Sequence, residues 1–149
     1  MTCIQESKPV LKKTLDLNYG MIGEEKVEPM IREFFNTEVV NTKLTKGKFC
    51  AYDYECVERK TRYELKSRRV KFDTYPTIII NTSKITKGST DGNRLILLFL
   101  FTDGLFYTEY DRETFDKYEI TLMTIRRNGY EKTESVYNIP IRDLKHIDI

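Results

Sequence analysis

The sequence predicts a single α+β domain, and three observations carry that prediction. The chain has 149 residues, one domain's worth of polypeptide. One early segment places Val27, Met30, Ile31, Phe34 and Phe35 at helical spacing. Most of the chain beyond that segment consists of runs rich in Val, Ile, Thr and aromatic residues, the composition of strands. There is no internal repeat and no Pro/Ser-rich linker, so residues 1–149 are expected to form one unit.

An amphipathic helix is predicted within 18–36; Pro29 removes an internal hydrogen bond, so the regular helix either begins close to it or kinks there. Glu38 to Leu44, Lys48 to Glu55 and Thr61 to Arg68 read as a three-strand meander. Pro76 is followed by Thr-Ile-Ile-Ile, a short buried-strand pattern, and Asn81-Thr-Ser then caps a short helix running into Lys84 and Lys87; a helix start can bind phosphate, but both lysines are expected at the surface. Arg94 to Thr102 and Leu105 to Tyr110 flank Asp103-Gly104, a favoured two-residue hairpin turn. Tyr118 to Arg127 is a further strand, and Asn138-Ile-Pro-Ile-Arg-Asp-Leu144 is an edge strand or a capped turn of helix.

Composition excludes several classes of function. Hydrophobic residues at 40% with 12% aromatic are too many for a disordered chain. The longest strongly apolar run, Leu95 to Phe101, is far short of the roughly 20 residues of a membrane-spanning helix. Met1 to Val10 carries Glu6, Lys8 and Pro9 and no apolar stretch of signal-peptide length, so the protein is expected to be intracellular and not secreted. Three cysteines (Cys3, Cys50, Cys56) without CxxC spacing and a single histidine, His146, indicate neither a disulfide framework nor a zinc site. A device built on imidazole is equally unpromising, and any catalysis is expected to run on carboxylates and lysine.

The net charge of +2 conceals a cancellation: residues 43–71 hold ten basic and four acidic side chains, a local +6. Such a patch attracts a phosphate backbone, although a solvated basic hairpin has the same composition. Within it lies Tyr52-Asp-Tyr-Glu-Cys-Val-Glu-Arg-Lys-Thr-Arg-Tyr-Glu-Leu-Lys-Ser-Arg-Arg69. On a strand Glu64 and Lys66 share one face, and Tyr63, Leu65 and Ser67 the other. A turn centred on Glu58-Arg59 sets residues whose numbers sum to 117 opposite one another, so Asp53 faces Glu64 on the same side of the sheet. Two carboxylates so placed repel unless a cation lies between them, and hard oxygen donors suit Mg2+ or Mn2+. A metal there would activate water for phosphodiester cleavage, with a neighbouring lysine to orient it. The plainer reading is a solvated cross-strand charge pattern. Tyr52, Tyr54, Tyr63 and Tyr75, interleaved with the charges, are expected in the core rather than on bases.

Asp53 followed by Glu64-Leu-Lys66 resembles the D...(D/E)xK signature of the PD-(D/E)XK nuclease superfamily, with the restriction-endonuclease-like fold. Tyr52 stands where the eponymous proline would be. Tyr19-Gly-Met-Ile-Gly-Glu24 opening a helix is similar to the family's preceding helix, which often donates an acid; Glu24 matches best, with Glu25 and Glu28 as alternatives, although a glutamate in a first helical turn is also favoured by the helix dipole alone. Thr74 to Ile85 and Phe101 to Tyr107 resemble segments of small nucleases of large DNA viruses and phages, and the resemblance spans roughly 18–110.

The resemblance implies an α-β-β-β-α-β core, a mixed central β-sheet flanked by helices, with Leu95 to Phe101 as a later central strand and the C-terminal strands extending that sheet. It implies a Mg2+- or Mn2+-dependent hydrolase of DNA phosphodiesters, with Asp53, Glu64 and the Leu65 carbonyl as metal ligands. Lys66 would serve the nucleophilic water, Glu24 would act as an additional ligand or water-mediated contact, and Arg68, Arg69 and Lys71 would hold backbone phosphate. A homodimer, located in the cytoplasm or nucleus of a host cell if viral, is compatible with it. The alternatives are a nucleic-acid-binding module of the same fold that has lost cleavage, and a protein-interaction domain presenting its hairpin edge.

Overall fold

The computed structural model describes residues 23–47 and 50–148. The Met1 to Val10 segment, the 18–22 opening of the predicted helix, and Lys48 and Phe49 of the second predicted strand lie outside the described residues.

Residues 23–34 form helix α1, which runs through Pro29 rather than starting there. Its i, i+4 pair Val27 and Ile31 is fully buried, and Met30 and Phe35 pack beside it. The first predicted strand shrinks to β1 (Val40–Asn41), because Asn41 caps a helical turn, α2 (Thr42–Thr45), by accepting from Lys43 N at 2.9 Å. The Thr42 hydroxyl donates to the Tyr52 carbonyl and its N–H to that of Asp53, so the turn is tied to the chain entering the next strand. That strand, β2, is also shorter than predicted (Tyr54–Cys56), whereas β3 is Thr61–Ser67, close to prediction. The predicted register holds: Tyr54 lies opposite Tyr63, Glu55 opposite Arg62 and Cys56 opposite Thr61, each pair summing to 117.

Next come β4 (Thr77–Asn81) and α3 (Thr82–Gly88). Asn81 occupies the cap position without capping; its amide donates instead to Glu134 at 2.5 Å. A Cβ on Gly88 would lie 2.9 Å from the Leu95 side chain, so the absence of a side chain there lets α3 close onto the sheet. Buried Arg62 draws in the same end of α3, donating to the Gly88 carbonyl at 3.2 Å and to the Thr90 hydroxyl at 2.8 Å.

β5 (Arg94–Phe101) and β6 (Gly104–Glu109) form the predicted hairpin, but Phe101 pairs with Gly104 and the turn residues are Thr102 and Asp103. Thr102 N donates to the Val70 carbonyl, and Asp103 accepts from Phe72 N at 2.9 Å, so the turn is set by its contacts with 70–72 and not by an Asp-Gly preference. A helical turn, α4 (Arg112–Phe115), leads to β7 (Glu119–Arg127) and β8 (Tyr130–Pro140). Asn128 and Gly129 join these two strands with φ of 51° and 73°, the positive values of a type I′ hairpin turn. Residues 138–140, predicted as an edge strand or helical turn, are the end of β8; Ile141–Asp143 is a 3-10 turn, and β9 is Lys145–His146.

The result is a mixed α+β fold with two sheets. Six strands run in the order β1-β2-β3-β5-β6-β9, with β3 and β5 parallel and the other pairs antiparallel. The expected C-terminal extension of the central sheet is corrected: only β9 joins it, while β7 and β8 recruit β4 into a separate antiparallel sheet ordered β4-β8-β7. The reason is apolar burial. Ile78, Ile80 and Ile139 pack with Ile85 of α3 and Phe115 onto Leu95, Leu97 and Phe99, whereas Ile96 and Leu98 of the same strand face α1. β5 is therefore buried on both faces, which accounts for its unbroken apolar run. No described helix is long and apolar enough to cross a membrane.

Leu97→Ala, at a site with 0% exposure, is expected to cost about 2–5 kcal/mol in urea unfolding, while Leu122→Ala on β7, 76% exposed, should change stability by less than about 0.5 kcal/mol.

Candidate active site

The β2–β3 register builds the site. Asp53 lies just before β2, with its N–H donating to the Tyr63 carbonyl at 2.9 Å. Pairing between the strands ends at Tyr54 and Tyr63, and in place of a further ladder bond the Asp53 carboxylate accepts from Leu65 N at 2.8 Å. The Leu65 carbonyl leaves the strand on that same edge. Glu64, 3% exposed, projects to the opposite side of β3 from Leu65, onto the face covered by α3. Lys84 of α3 brings its Nζ to 3.4 Å from Glu64 Oε2, and Lys66 lies 3.7 Å from the same oxygen. Glu64 Oε1 is buried without a hydrogen-bond partner.

Helix α1 completes the cluster. The Glu24 carboxylate accepts from Lys43 of α2 at 2.6 Å and lies beside Asp53. The Tyr54 hydroxyl donates to the Glu24 carbonyl, which fixes this end of α1 against β2. Exposed Glu25 faces away, and Glu28 pairs with Arg32 at 3.3 Å.

Burial, with neighbouring charges, shifts Glu64, Lys66 and Glu24 away from their ordinary protonation behaviour. Burial pushes the Glu64 carboxyl up to about 7, and the Asp53 charge adds to that, opposed by Lys84 and Lys66. Burial pulls the Lys66 ammonium down, with Glu64 acting against it. Glu24 is raised by burial and by Asp53, while its bond to Lys43 opposes the rise. A buried acid raised toward neutrality beside a lysine with a lowered pKa marks Glu64 and Lys66 as candidates for a functional cluster.

No family model, curated protein or solved structure matches this chain. Its chemistry is therefore read from its own groups.

Of the residues singled out from sequence, Asp53, Glu64, Lys66 and Glu24 come together, with the Leu65 main chain at the edge beside Asp53. Arg68 is half-buried, its guanidinium donating to the Ser67 and Ile79 carbonyls, whereas Arg69 and Lys71 are exposed. Lys84, expected at the surface, instead joins the site; nothing in its spelling marks it, and only the placement of α3 over β3 reveals it. Tyr52, Tyr54 and Tyr63 are buried as expected, while Tyr75 is not. Cys50 and Cys56 are free thiols.

The donors present suit a hard divalent cation: an unpartnered buried carboxylate oxygen, a second carboxylate and a main-chain carbonyl edge. Among the described residues, no three His, Cys, Asp or Glu side chains converge closely enough to cage an ion by themselves. Magnesium is commonly held by one or two carboxylates with water and substrate phosphate completing its shell, and the site fits that sparse pattern.

A carboxyl whose pKa is raised on folding stabilises the protein when protonated. The Glu64 contribution is thus complete below about 4.5, lost progressively as pH rises and gone above about 7. Wild-type stability minus that of Glu64→Gln, from urea titrations across this range, should fall by on the order of 2–3 kcal/mol between those limits. A flat difference would contradict the assignment.

Proposed function

We propose that this protein is a divalent-metal-dependent nuclease of the PD-(D/E)XK type, hydrolysing DNA phosphodiester bonds on a restriction-endonuclease-like core. The observation that carries the reading is the buried Glu64 carboxylate, with two lysines on one oxygen, no partner on the other, and Asp53 across the β2–β3 junction. A parallel β3–β5 pair with α3 between its strands, and a helix ahead of them carrying Glu24, agrees with the α-β-β-β-α-β order the resemblance implies, except that β4 lies in the second sheet.

Asp53, Glu64 and the Leu65 carbonyl would hold Mg2+ or Mn2+. When bound, such an ion supplies Lewis acidity toward a phosphate oxygen and acidifies water. The remaining work falls to the protein's own groups. Lys66, its pKa lowered by burial, orients the attacking water and holds or returns its proton. Lys84 and Lys66 together offset the charge on Glu64 and stabilise negative charge developing on the phosphate. Lys43 anchors Glu24, keeping that carboxylate at the edge of the site for a water-mediated contact. Arg69 and Lys71, exposed just beyond β3, would hold backbone phosphate; Arg68, engaged with main-chain carbonyls, supports the segment that carries them. One site cuts one strand, so cleavage of both strands of a duplex would call for a second copy of the chain.

One observation favours a second reading, a binding module of the same fold without cleavage: no three ligating side chains converge among the described residues. The two readings separate in one assay on plasmid, linear, single-stranded and branched DNA with Mg2+ or Mn2+. The nuclease reading expects cleavage that a chelator abolishes, and a loss of roughly 10²-fold or more in Asp53→Ala and in Lys66→Ala. It also expects Mg2+ to raise the melting temperature of the wild type but not of Asp53→Ala. Salt-sensitive binding with no metal dependence would favour the binding module, and cleavage indifferent to both substitutions would discard the site.

A further inference from the structure

Beyond the C-terminal end of β3 the chain loops through 68–76 before entering β4, and a groove of about 200 Å3 lies between this loop and β4. Its floor is apolar and partly aromatic, formed by Phe72, Ile78, Phe101 and Ile141. The Phe72 ring is already stacked on Phe106, with centroids 3.9 Å apart and planes 8° from parallel. Tyr75, 62% exposed, stands on the wall with its ring open to solvent. Arg69 and Lys71 form a basic rim, and among the described residues no acidic side chain lines the groove. Arg68, another lining residue, is the first residue past β3 and follows two positions after Lys66, about 7 Å further along the chain.

We propose that this groove receives one unpaired nucleobase of the strand being cut, so that the substrate class is single-stranded, frayed or branched DNA rather than uninterrupted duplex. The inference rests on the nuclease reading, to which it adds the form of the substrate. A nucleotide joins a flat apolar body to an anion, and the groove joins an apolar, partly aromatic floor to a cationic rim that includes Lys71. Bases inside a duplex are stacked on both faces and paired along one edge, and cannot enter a recess of this size without being unpaired, whereas a single strand presents its bases at no such cost. Stacking on an aromatic side chain tolerates any base, so the groove selects by strandedness and not by sequence. Its place just past Lys66 puts the received base close to the phosphate under attack.

The test separates binding from cleavage. In the presence of chelator, the wild type and Asp53→Ala are titrated with a fluorescent single strand, the same strand carrying abasic positions, and the matching duplex; Tyr75→Ala and Tyr75→Phe are titrated in the same way. Tyr75 is exposed, so its substitution leaves the core intact. The expected result is tighter binding of the single strand than of either competitor. Tyr75→Ala should lose about 5- to 100-fold on the single strand alone, and Tyr75→Phe should restore it. If cleavage is observed while Tyr75→Ala binds every ligand as the wild type does, the base site is overturned and the nuclease reading stands. If Tyr75-dependent binding of single strands is observed without cleavage under any metal, the nuclease reading fails and the base site survives it. If no DNA binds, both fall.

Discussion

The antiparallel register of β2 against β3 is the constraint on which the site depends. Because side chains alternate, a slip of one residue would send Glu64 and Lys66 to the α1 side and bring Tyr63 and Leu65 under α3, inverting both the chemistry and the core. Two independent contacts prevent it. On one side, β3 pairs in parallel with β5 from Thr61–Arg94 to Ser67–Leu100. On the other, the Asp53 carboxylate occupies the Leu65 N–H where the ladder stops. A group proposed for chemistry thus also ends the β2–β3 ladder.

The burial of Glu64 sets stability against the proposed chemistry. An ionised carboxylate in an apolar layer loses its hydration, and the two lysines reach only one of its oxygens. The partner of Glu64 across the β3–β5 ladder, Leu97, is apolar and fully buried. The retained charge makes sense where something arriving from outside supplies the missing partner, and the same logic explains why Lys66 is held below its ordinary affinity for protons.

Much of this was legible from sequence because it is local. Alternation in 61–68, the reversal at Glu58-Arg59 and the helical spacing of Val27 and Ile31 each need only neighbouring residues to be read, and they were enough to place Asp53 opposite Glu64. What was not legible depends on distant partners. Lys84 enters the site only because Gly88 and Arg62 draw α3 down onto the sheet. The first strand of the meander gave way to a capped turn because Asn41 had a backbone N–H to accept from, and the hairpin turn moved by one residue because Asp103 was wanted by Phe72. The assignment of β4 to a second sheet was hidden for the same reason, since the β8 strand that claims it lies far along the chain.

That distribution of local and distant contacts bears on how the molecule comes together. The β2–β3 hairpin closes a short loop, whereas the β3–β5 ladder spans 33 positions in the chain and waits for β4 and α3 to be threaded past it. Loop closure over such a distance is slow relative to hairpin formation. Asp53 and Glu64 can therefore meet in a nascent hairpin still bathed in water, where neither is strained. Docking of β5 and α3 buries Glu64 while Asp53 stays half-exposed, so the packing that completes the hydrophobic interior is the same that strips the Glu64 carboxylate of water.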